Sequence, residues 1–231
     1  MKSEDEMTQN AVPIITVDGP SGSGKGTVSK RVADQLGWRI LDSGALYRLL
    51  GYAVSEADCD FDDHNKVMEL ARTLNVVFDG ENIVLDDADV SDEIRTETAG
   101  NNASKVAAIP AVREALLRWQ RDYAAPPGLV ADGRDMGTMV FPQAGVKIFL
   151  TASPEERAER RYKQLKEKGL PANLAALTEE INERDARDRD RSASPLTPAR
   201  DAIELDSTSM TIDDVVDFVL QKAHEVYATP H

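Results

Sequence analysis

The sequence has a single cysteine, comparatively few basic residues and no long apolar segment, and each shortage excludes a class of protein. Cys59 cannot form an intrachain disulfide, so we expect a structural thiol and a reducing compartment. Lys and Arg number 27 against 41 Asp and Glu, and the net charge of -14 argues against binding of a nucleic acid polymer. No apolar run approaches the roughly 18 residues that a membrane span requires, so no membrane association is expected.

The amino-terminal segment 1–11 is polar and partly acidic, and it lacks the apolar core of a secretion signal. We predict that 1–11 is disordered and that 12–231 forms one domain of a cytoplasmic, monomeric protein. A hydrophobic content of 41% over 231 residues is enough to bury one sizeable core. The composition therefore indicates a compact enzyme in which any phosphate site is local.

Short apolar segments alternate with helical patterns along most of the chain. Five of these segments are predicted to be strands, at 12–17, 38–41, 129–131, 146–150 and 202–205. Helices are predicted at 28–36, 46–54, 66–74, 110–123, 154–168 and 178–192. A last helix begins with a capping box formed by Thr211 and Asp214. This order predicts an α/β fold with a five-stranded parallel sheet, helices on both faces, and ligands at the carboxyl ends of the strands.

The segment 75–90 interrupts this alternation. Two apolar runs, 76–78 and 83–85, flank the turn sequence Asp-Gly-Glu-Asn at 79–82. We predict an antiparallel hairpin here, with a third short strand at 88–90. The segment is therefore interpreted as a small β insert.

A glycine-rich segment follows the first predicted strand and precedes the first predicted helix. It fits the phosphate-loop pattern G-x-x-x-x-G-K with Gly19, Pro20, Ser21, Gly22, Ser23, Gly24 and Lys25. Glycines let backbone N–H groups wrap around phosphate oxygens, and the start of the helix is electropositive. We expect Lys25 to reach the β and γ phosphates of a nucleotide. An ordinary glycine-rich turn is the alternative interpretation.

The residues expected near magnesium depart from the usual phosphate loop. Gly26 stands where most such loops carry the Ser or Thr that binds Mg²⁺, and the hydroxyl follows one residue later at Thr27. Asp132, at the end of the third predicted strand, is expected to face the loop and to orient water molecules around the ion. We therefore predict Thr27 and Asp132 as the metal-associated residues, through water.

Two motifs place an arginine close to the end of a predicted strand. The segment 42–48 sets Ser43 at a helix start and Arg48 one turn later, and the segment 132–138 carries Arg134 and Asp135 in a glycine-punctuated loop. A kinase for a phosphorylated acceptor needs fixed cations beside its loop lysine, and the planar guanidinium binds phosphate in bidentate fashion. The alternatives are a serine helix cap with a surface arginine and a structural turn with an internal ion pair.

The segment 183–191 carries eight charged residues in nine, and their charges sum to zero. One interpretation is an exposed helix with ion pairs between positions i and i+4. The other is a functional face, because Arg184, Asp188 and Arg191 are spaced i, i+4 and i+7. The preceding predicted helix adds three cations, Arg157, Arg160 and Arg161. A mobile lid over about 155–192 would exclude water from the phosphates.

Together these motifs resemble the bacterial cytidylate kinases, from about residue 13 to the last helix. The segments that carry the resemblance are 18–27, 41–48, 132–138, 183–185 and 187–191. It implies a P-loop kinase core with a helical lid and an acceptor-binding region over about 43–125 that includes the β insert 75–90. It also implies Mg²⁺-dependent transfer of the γ-phosphate of ATP to CMP or dCMP, giving CDP or dCDP and ADP.

The resemblance further implies roles for individual residues. ATP would be bound by the loop residues 19–27 and by Arg160. The acceptor phosphate would be bound by Ser43, Arg48, Arg134, Arg184 and Arg191. Cytosine would be read by Ser104, Arg113 and Asp135, and the ribose would contact Asp188. The catalytic residues would be Lys25, Arg134, Arg184 and Arg191.

Other interpretations stay open at this point. Without the resemblance, Ser104 would be taken as a helix-start residue and Arg113 as a solvent-facing helical arginine. A small-metabolite kinase acting on shikimate or gluconate would not need Asp135 and Arg113 to read a base. A regulatory module would bind ATP without transferring phosphate. Because the exocyclic amine of cytosine donates where uracil accepts, Asp135 is expected to disfavour UMP.

Overall fold

The computed structural model describes residues 12–79, 82–167, 169–190 and 194–227. The strands are Ile14–Asp18 (β1), Arg39–Asp42 (β2), Val76–Asp79 (β3), Asn82–Leu85 (β4), Ala88–Asp89 (β5), Leu129–Gly133 (β6), Val146–Thr151 (β7) and Ile203–Asp206 (β8). The α-helices are Lys25–Leu36 (α1), Ser43–Glu56 (α2), His64–Thr73 (α3), Glu97–Ala107 (α4), Pro110–Asp122 (α5), Pro154–Glu167 (α6), Leu174–Asp190 (α7) and Ile212–Tyr227 (α8). The predicted disorder of 1–11 concerns residues outside the described ranges.

The chain forms two compact units. One, which we call the sheet unit, consists of the described residues up to Leu41 and from Tyr123 onward, and the other, the helical unit, consists of those within Asp42–Asp122. No helix in the described ranges combines the length and the apolar composition needed to cross a membrane. The acceptor-binding role of 43–125 and the lid role of 155–192 stay predictions.

The sheet unit carries the predicted five-stranded parallel sheet, with strand order β2-β6-β1-β7-β8. All five residues of β1 are buried, as expected for a central parallel strand. The register pairs Val17 with Asp132 of β6, and it pairs Asp18 with Gly133 of β6 and Phe149 of β7. The carboxyl ends of three neighbouring strands therefore meet at Asp18.

Apolar residues at helical spacing bind α1 and α8 to this sheet. Val28 and Val32 of α1 and Val219 of α8 are fully buried in one cluster with Ile15 of β1. Burying each such side chain contributes about 1.5–3 kcal/mol relative to leaving it exposed. The predicted capping box of α8 is present, because the N–H of Asp214 donates to Thr211 Oγ1 at 3.1 Å and the N–H of Thr211 donates to Asp214 Oδ2 at 3.0 Å.

The helical unit contains α2 to α5 and a three-stranded antiparallel sheet of order β3-β4-β5. The predicted hairpin is confirmed, with Val76 paired to Leu85 across β3 and β4. One side of α2 packs against α4 and α5 through Leu50, and its other side packs through Leu49 against the cluster that includes Leu85. The insert is thereby held on the helix that begins at Ser43.

Three elements of the described ranges were not predicted from the sequence, and one of them is a short 3₁₀ helix at Glu93–Arg95. Helix α4 begins at Glu97 after Thr96, whose Oγ1 accepts from the N–H of Ala99 at 3.2 Å. The interpretation of Ser104 as a helix-start residue is therefore wrong, since it lies in the second half of α4. Glycine and asparagine lower the helix propensity of this stretch, and close packing against α2 at Gly51 overrides it. The third missed element is a π-helical turn over Met136–Val140.

Candidate active site

Backbone crowding at the end of β1 shapes the phosphate loop. Gly19 has φ 153°, and a Cβ atom there would lie 2.0 Å from the carbonyl oxygen of Leu150 in β7, so only glycine fits. Gly24, at φ 89°, ends the loop, and α1 starts at Lys25 with its first N–H groups unbonded within the helix. The Nζ of Lys25 donates to the carbonyl oxygen of Pro20 at 3.1 Å. Backbone donors, the helix start and an ammonium group thus converge where an anion can bind.

Asp18 anchors the chain that follows β6. Its side chain is buried, and its two carboxylate oxygens accept from the N–H groups of Met136 and Gly137, each at 2.8 Å. Burial raises the pKa of Asp18 to about 6, and the like charge of Asp135 adds to the rise, while the two hydrogen bonds and Lys25 oppose it. Asp18 thereby fixes the backbone directly after Asp135.

Asp132 lies against the first turn of α1. A Cβ atom on Gly26 would lie 3.2 Å from Asp132 Oδ2, so the glycine leaves room for the carboxylate beside the loop. Asp132 is buried, and Thr27, the next residue of the helix, is exposed. Carboxylate and hydroxyl oxygens suit Mg²⁺, which keeps several waters and is often held through phosphates. Within the described ranges, no three Asp, Glu, His or Cys side chains group as metal ligands.

Helix α7 is joined to the end of β6 by an ion pair. The Nε of Arg134 donates to Asp188 Oδ2, and the two side chains are 16% and 4% exposed. Burial opposes the charge on Arg134, but the carboxylates around it, Asp188 first and then Asp132 and Asp185, together outweigh it and raise the pKa of the guanidinium. Arg134 therefore stays cationic at the strand end, beside the predicted ribose contact.

A second ion pair joins α7 to α6. The guanidinium of Arg157 donates to both carboxylate oxygens of Asp185, at 3.1 and 2.5 Å. It also donates to the carbonyl oxygen of Ser21 at 3.0 Å and to that of Ala152 at 2.9 Å. Arg157 is buried, and these four bonds engage its guanidinium within the protein.

Arg160 also touches the loop, although it remains half-buried. Its guanidinium donates to the carbonyl oxygen of Ser23 at 3.3 Å and to that of Ser207 at 2.7 Å, and Glu156 accepts from its Nε at 2.9 Å. Arg184 is half-buried on α7. Arg191 lies outside the described residues.

The helical unit holds Ser43 and Arg48 one turn apart on α2. Ser43 is buried, and its hydroxyl donates to Gln120 Oε1 on α5 at 2.8 Å. Arg48 donates through Nη1 to the carbonyl oxygens of Ile94 and Thr96, at 2.9 and 3.2 Å. Asp42, rather than Ser43, caps α2, since its carboxylate accepts from a backbone N–H three residues on. The hydroxyl of Ser43 is consequently not the group that caps the helix.

The two predicted base-reading residues of this unit lie on successive helices. The Oγ of Ser104 donates to the carbonyl oxygen of Gly100 in α4 at 3.2 Å. Arg113 donates to the carbonyl oxygen of Ala107 at 3.4 Å, and its guanidinium lies 5.5 Å from the ring centroid of Tyr47. Arg113 is half-buried, so it differs from the solvent-facing arginine that the pattern alone suggests.

The structure thus divides the predicted residues between the two units. Within the sheet unit it gathers the loop with Asp132, Arg134, Asp135 and Asp188 at the strand ends, and within the helical unit it places Ser43, Arg48, Ser104 and Arg113 on helices α2, α4 and α5. Sequence reasoning missed Asp18 and Gln120. Gln120 continues the spacing of Val112 and Leu116 along the buried face of α5, and a polar residue in such a row is the signal that would have found it.

Known proteins are similar in sequence to this chain along nearly its whole length. A family model described as cytidylate kinase matches residues 15–225. A cytidylate kinase of Serratia proteamaculans is 58% identical, over 97% of this chain and 99% of the relative, and one of Colwellia psychrerythraea is 53% identical over 94% and 98%. An uncharacterized protein of Eubacterium ventriosum shares the fold, with a TM-score of 0.51 and 12% identity over 93% of this chain and 99% of its own. The chain belongs to the cytidylate kinase family.

Proposed function

We propose that this protein catalyses Mg²⁺-dependent transfer of the γ-phosphate of ATP to CMP or dCMP, giving ADP and CDP or dCDP. The observation that carries the proposal is a G-x-x-x-x-G-K phosphate loop at the end of β1, in a chain 58% identical to a relative named cytidylate kinase. The other residue roles proposed for this enzyme are those that the resemblance to the cytidylate kinases implies, and the contacts of the described side chains support them.

The phosphate loop, 19–27, is the donor site. Backbone N–H groups and the start of α1 attract the phosphates of ATP, and Lys25 exchanges its bond to Pro20 for the β and γ phosphates. Arg160 borders the same loop through the carbonyl oxygen of Ser23 and contributes a second cation for the nucleotide. Such preorganised donors are worth more in a site from which water is excluded.

The residues beside the loop fit a bound magnesium ion. Asp132 has a buried carboxylate next to Gly26 and Thr27 has a hydroxyl, so both would hold the ion through its water molecules. When bound, Mg²⁺ would neutralise part of the negative charge of the phosphates.

The acceptor phosphate is assigned to Ser43 and Arg48 of the helical unit, and to Arg134, Arg184 and Arg191. Arg134 supports this role because its charge is held by Asp188 and its carrier loop is fixed by Asp18. The acceptor oxygen is already anionic near neutral pH, so no strong general base is needed. That oxygen attacks the γ-phosphorus, the bond to the bridging oxygen of ADP breaks, and the arginines stabilise the charge in transit.

The base and the sugar are assigned to a second set of residues. Asp135 accepts from the exocyclic amine of cytosine, and Ser104 and Arg113 donate to its O2 and N3. Asp188 contacts the ribose while it holds Arg134. A cytoplasmic, monomeric enzyme completes the proposal, and the half-buried free thiol of Cys59 fits the reducing compartment.

The donor assignment is tested with two lysines of the same helix. Lys25→Ala removes the loop ammonium, whereas Lys30→Ala removes an exposed ammonium further along α1. We expect ADP formation from ATP and CMP to fall by at least about a hundredfold in Lys25→Ala, the usual effect of losing one preorganised donor, and to stay near wild type in Lys30→Ala. Wild-type turnover by a folded Lys25→Ala variant would contradict the assignment of the phosphate loop as the donor site.

A further inference from the structure

Arg157 differs from the neighbouring Arg160 of α6 in its burial, because the side chain of Arg160 is 21% exposed. The side chain of Arg157 is 3% exposed, and it makes four hydrogen bonds, to Ser21, Ala152 and both oxygens of Asp185. Binding a phosphate would require these bonds to break in a buried setting, at a large cost. Arg157 is therefore a residue that acts through others.

The bond to Ser21 controls one donor of the phosphate loop. In a planar trans peptide the carbonyl group and the following N–H point in opposite directions. Because Arg157 holds the carbonyl oxygen of Ser21, it also fixes the direction of the N–H of Gly22. The backbone of Gly22 packs on the same side chain, since a Cβ there would lie 3.2 Å from the Cβ of Arg157.

The bond to Asp185 controls a turn of α7. Asp185 lies next to Arg184, one turn before Asp188, and its two oxygens share the guanidinium that holds the loop. Shifting this turn shifts Arg184, and a misplacement of about 1 Å at such a position can cost a hundredfold in rate. One buried cation thus fixes a loop donor and a helix that carries a predicted catalytic arginine.

We propose that Arg157 and Asp185 form a positioning pair that couples nucleotide binding at the phosphate loop to the placement of α7. The coupling runs in both directions, so an ordered α7 strengthens nucleotide binding and a filled loop orders the turn around Arg184. The inference rests on the proposed function only in its kinetic consequence, because the nucleotide affinity of the loop is measurable without an acceptor.

The test measures the affinity of the purified full chain for a fluorescent ADP analogue with Mg²⁺ and no acceptor. Asp185→Asn keeps the size of the side chain and removes the charge that pairs with Arg157. We expect this variant to weaken ADP binding about tenfold, which is within the usual range of coupling between sites. The result is informative because the described hydrogen bonds of Asp185 are made to Arg157 and not to the phosphate loop. Arg157→Lys is expected to weaken ADP binding similarly. The double variant should bind ADP no more weakly than whichever single variant binds it less tightly.

Asp201→Asn is the matched control, because it breaks another ion pair of the sheet unit, that of the buried Lys147. It is expected to lower the thermal midpoint while leaving ADP affinity within twofold of wild type, a margin of about 0.4 kcal/mol. With CMP present, Asp185→Asn is expected to lower kcat as well as raise the KM for ATP.

Unchanged ADP affinity in folded Asp185→Asn, or multiplicative effects in the double variant, would overturn the pairing. If Arg157→Lys does not fold, the test rests on comparing the ADP affinity of Asp185→Asn with that of Asp201→Asn. If the wild type does not turn over CMP but Asp185→Asn still weakens ADP binding, the proposed function is contradicted and the coupling between Arg157 and Asp185 is supported.

Discussion

Replacing Asp18 by asparagine should change how the stability of the protein depends on pH. The carboxyl group is 5% exposed, and its pKa is raised from 3.8 to about 6, first by burial and then by the charge of Asp135. Because the folded protein holds this proton more tightly than the unfolded chain, the resulting stabilisation is fully present below pH 3.8 and is lost as the pH rises through about 6. Asparagine has no such proton.

The magnitude follows from the two pKa values. At about pH 5, which lies above the isoelectric point, the difference in proton binding amounts to about 1.4 kcal/mol in favour of the folded state, and at about pH 8 it has vanished. The free energy of unfolding of the wild type, minus that of Asp18→Asn, should therefore fall by about 1.4 kcal/mol between these pH values. The lost acceptor for Met136 or Gly137 in the variant shifts the whole curve and leaves this difference in slope intact.

Urea unfolding of both proteins without nucleotide, over this pH range, measures the effect. Asp217→Asn serves as the charge-matched control, since it removes one carboxylate from the exposed surface of α8. A wild-type curve parallel to that of Asp18→Asn would refute the raised pKa, and with it the buried anchor that we describe at the base of the loop. A curve that diverges in the opposite direction would mean that the carboxylate is stabilised as the anion.

Two further predictions concern the framework of the sheet unit. Gly19→Ala should cost at least about 3 kcal/mol of unfolding free energy, because the new Cβ meets a backbone carbonyl, whereas Gly169→Ala, at φ 70° with open space around it, should cost about 1 kcal/mol. Equal losses in thermal or urea unfolding would contradict the crowding at Gly19. Tyr227→Phe should cost about 2 kcal/mol, since the hydroxyl donates to the carbonyl oxygen of Ile14 at 2.6 Å and accepts from the N–H of Gly145 at 2.9 Å. An unchanged urea midpoint would show that this hydroxyl does not hold α8 to the sheet.

Local patterns were sufficient to predict much of this molecule. The run that becomes β1, the glycines after it and the stop at Gly37 each act within a few residues, and the hairpin of β3 and β4 is defined by its own turn. These features need no knowledge of distant partners, and the predicted sheet is confirmed with them.

Features that depend on distant partners were missed or misread. Helix α4 forms on the surface of α2 despite poor intrinsic propensity, so its sequence alone gave little sign of it. The π-helical turn after β6 is fixed by Asp18, more than a hundred residues earlier. The sequence of α6 does not distinguish Arg157 from Arg160. Arg157 becomes a buried connection because it bonds the carbonyl of Ser21 and the carboxylate of Asp185. The sequence cannot rank such arginines, because their partners come from three separate segments.

The central claim is acceptor specificity, and initial rates with a panel of acceptors test it most directly. ATP and Mg²⁺ are supplied with CMP, dCMP, UMP, AMP, shikimate or gluconate in parallel, and both ADP and the phosphorylated product are identified. We predict rapid formation of CDP and dCDP, slow formation of UDP, and no product from AMP, shikimate or gluconate. Phosphorylation of shikimate or gluconate, or tight ATP binding with no phosphorylated acceptor of any kind, would contradict the account.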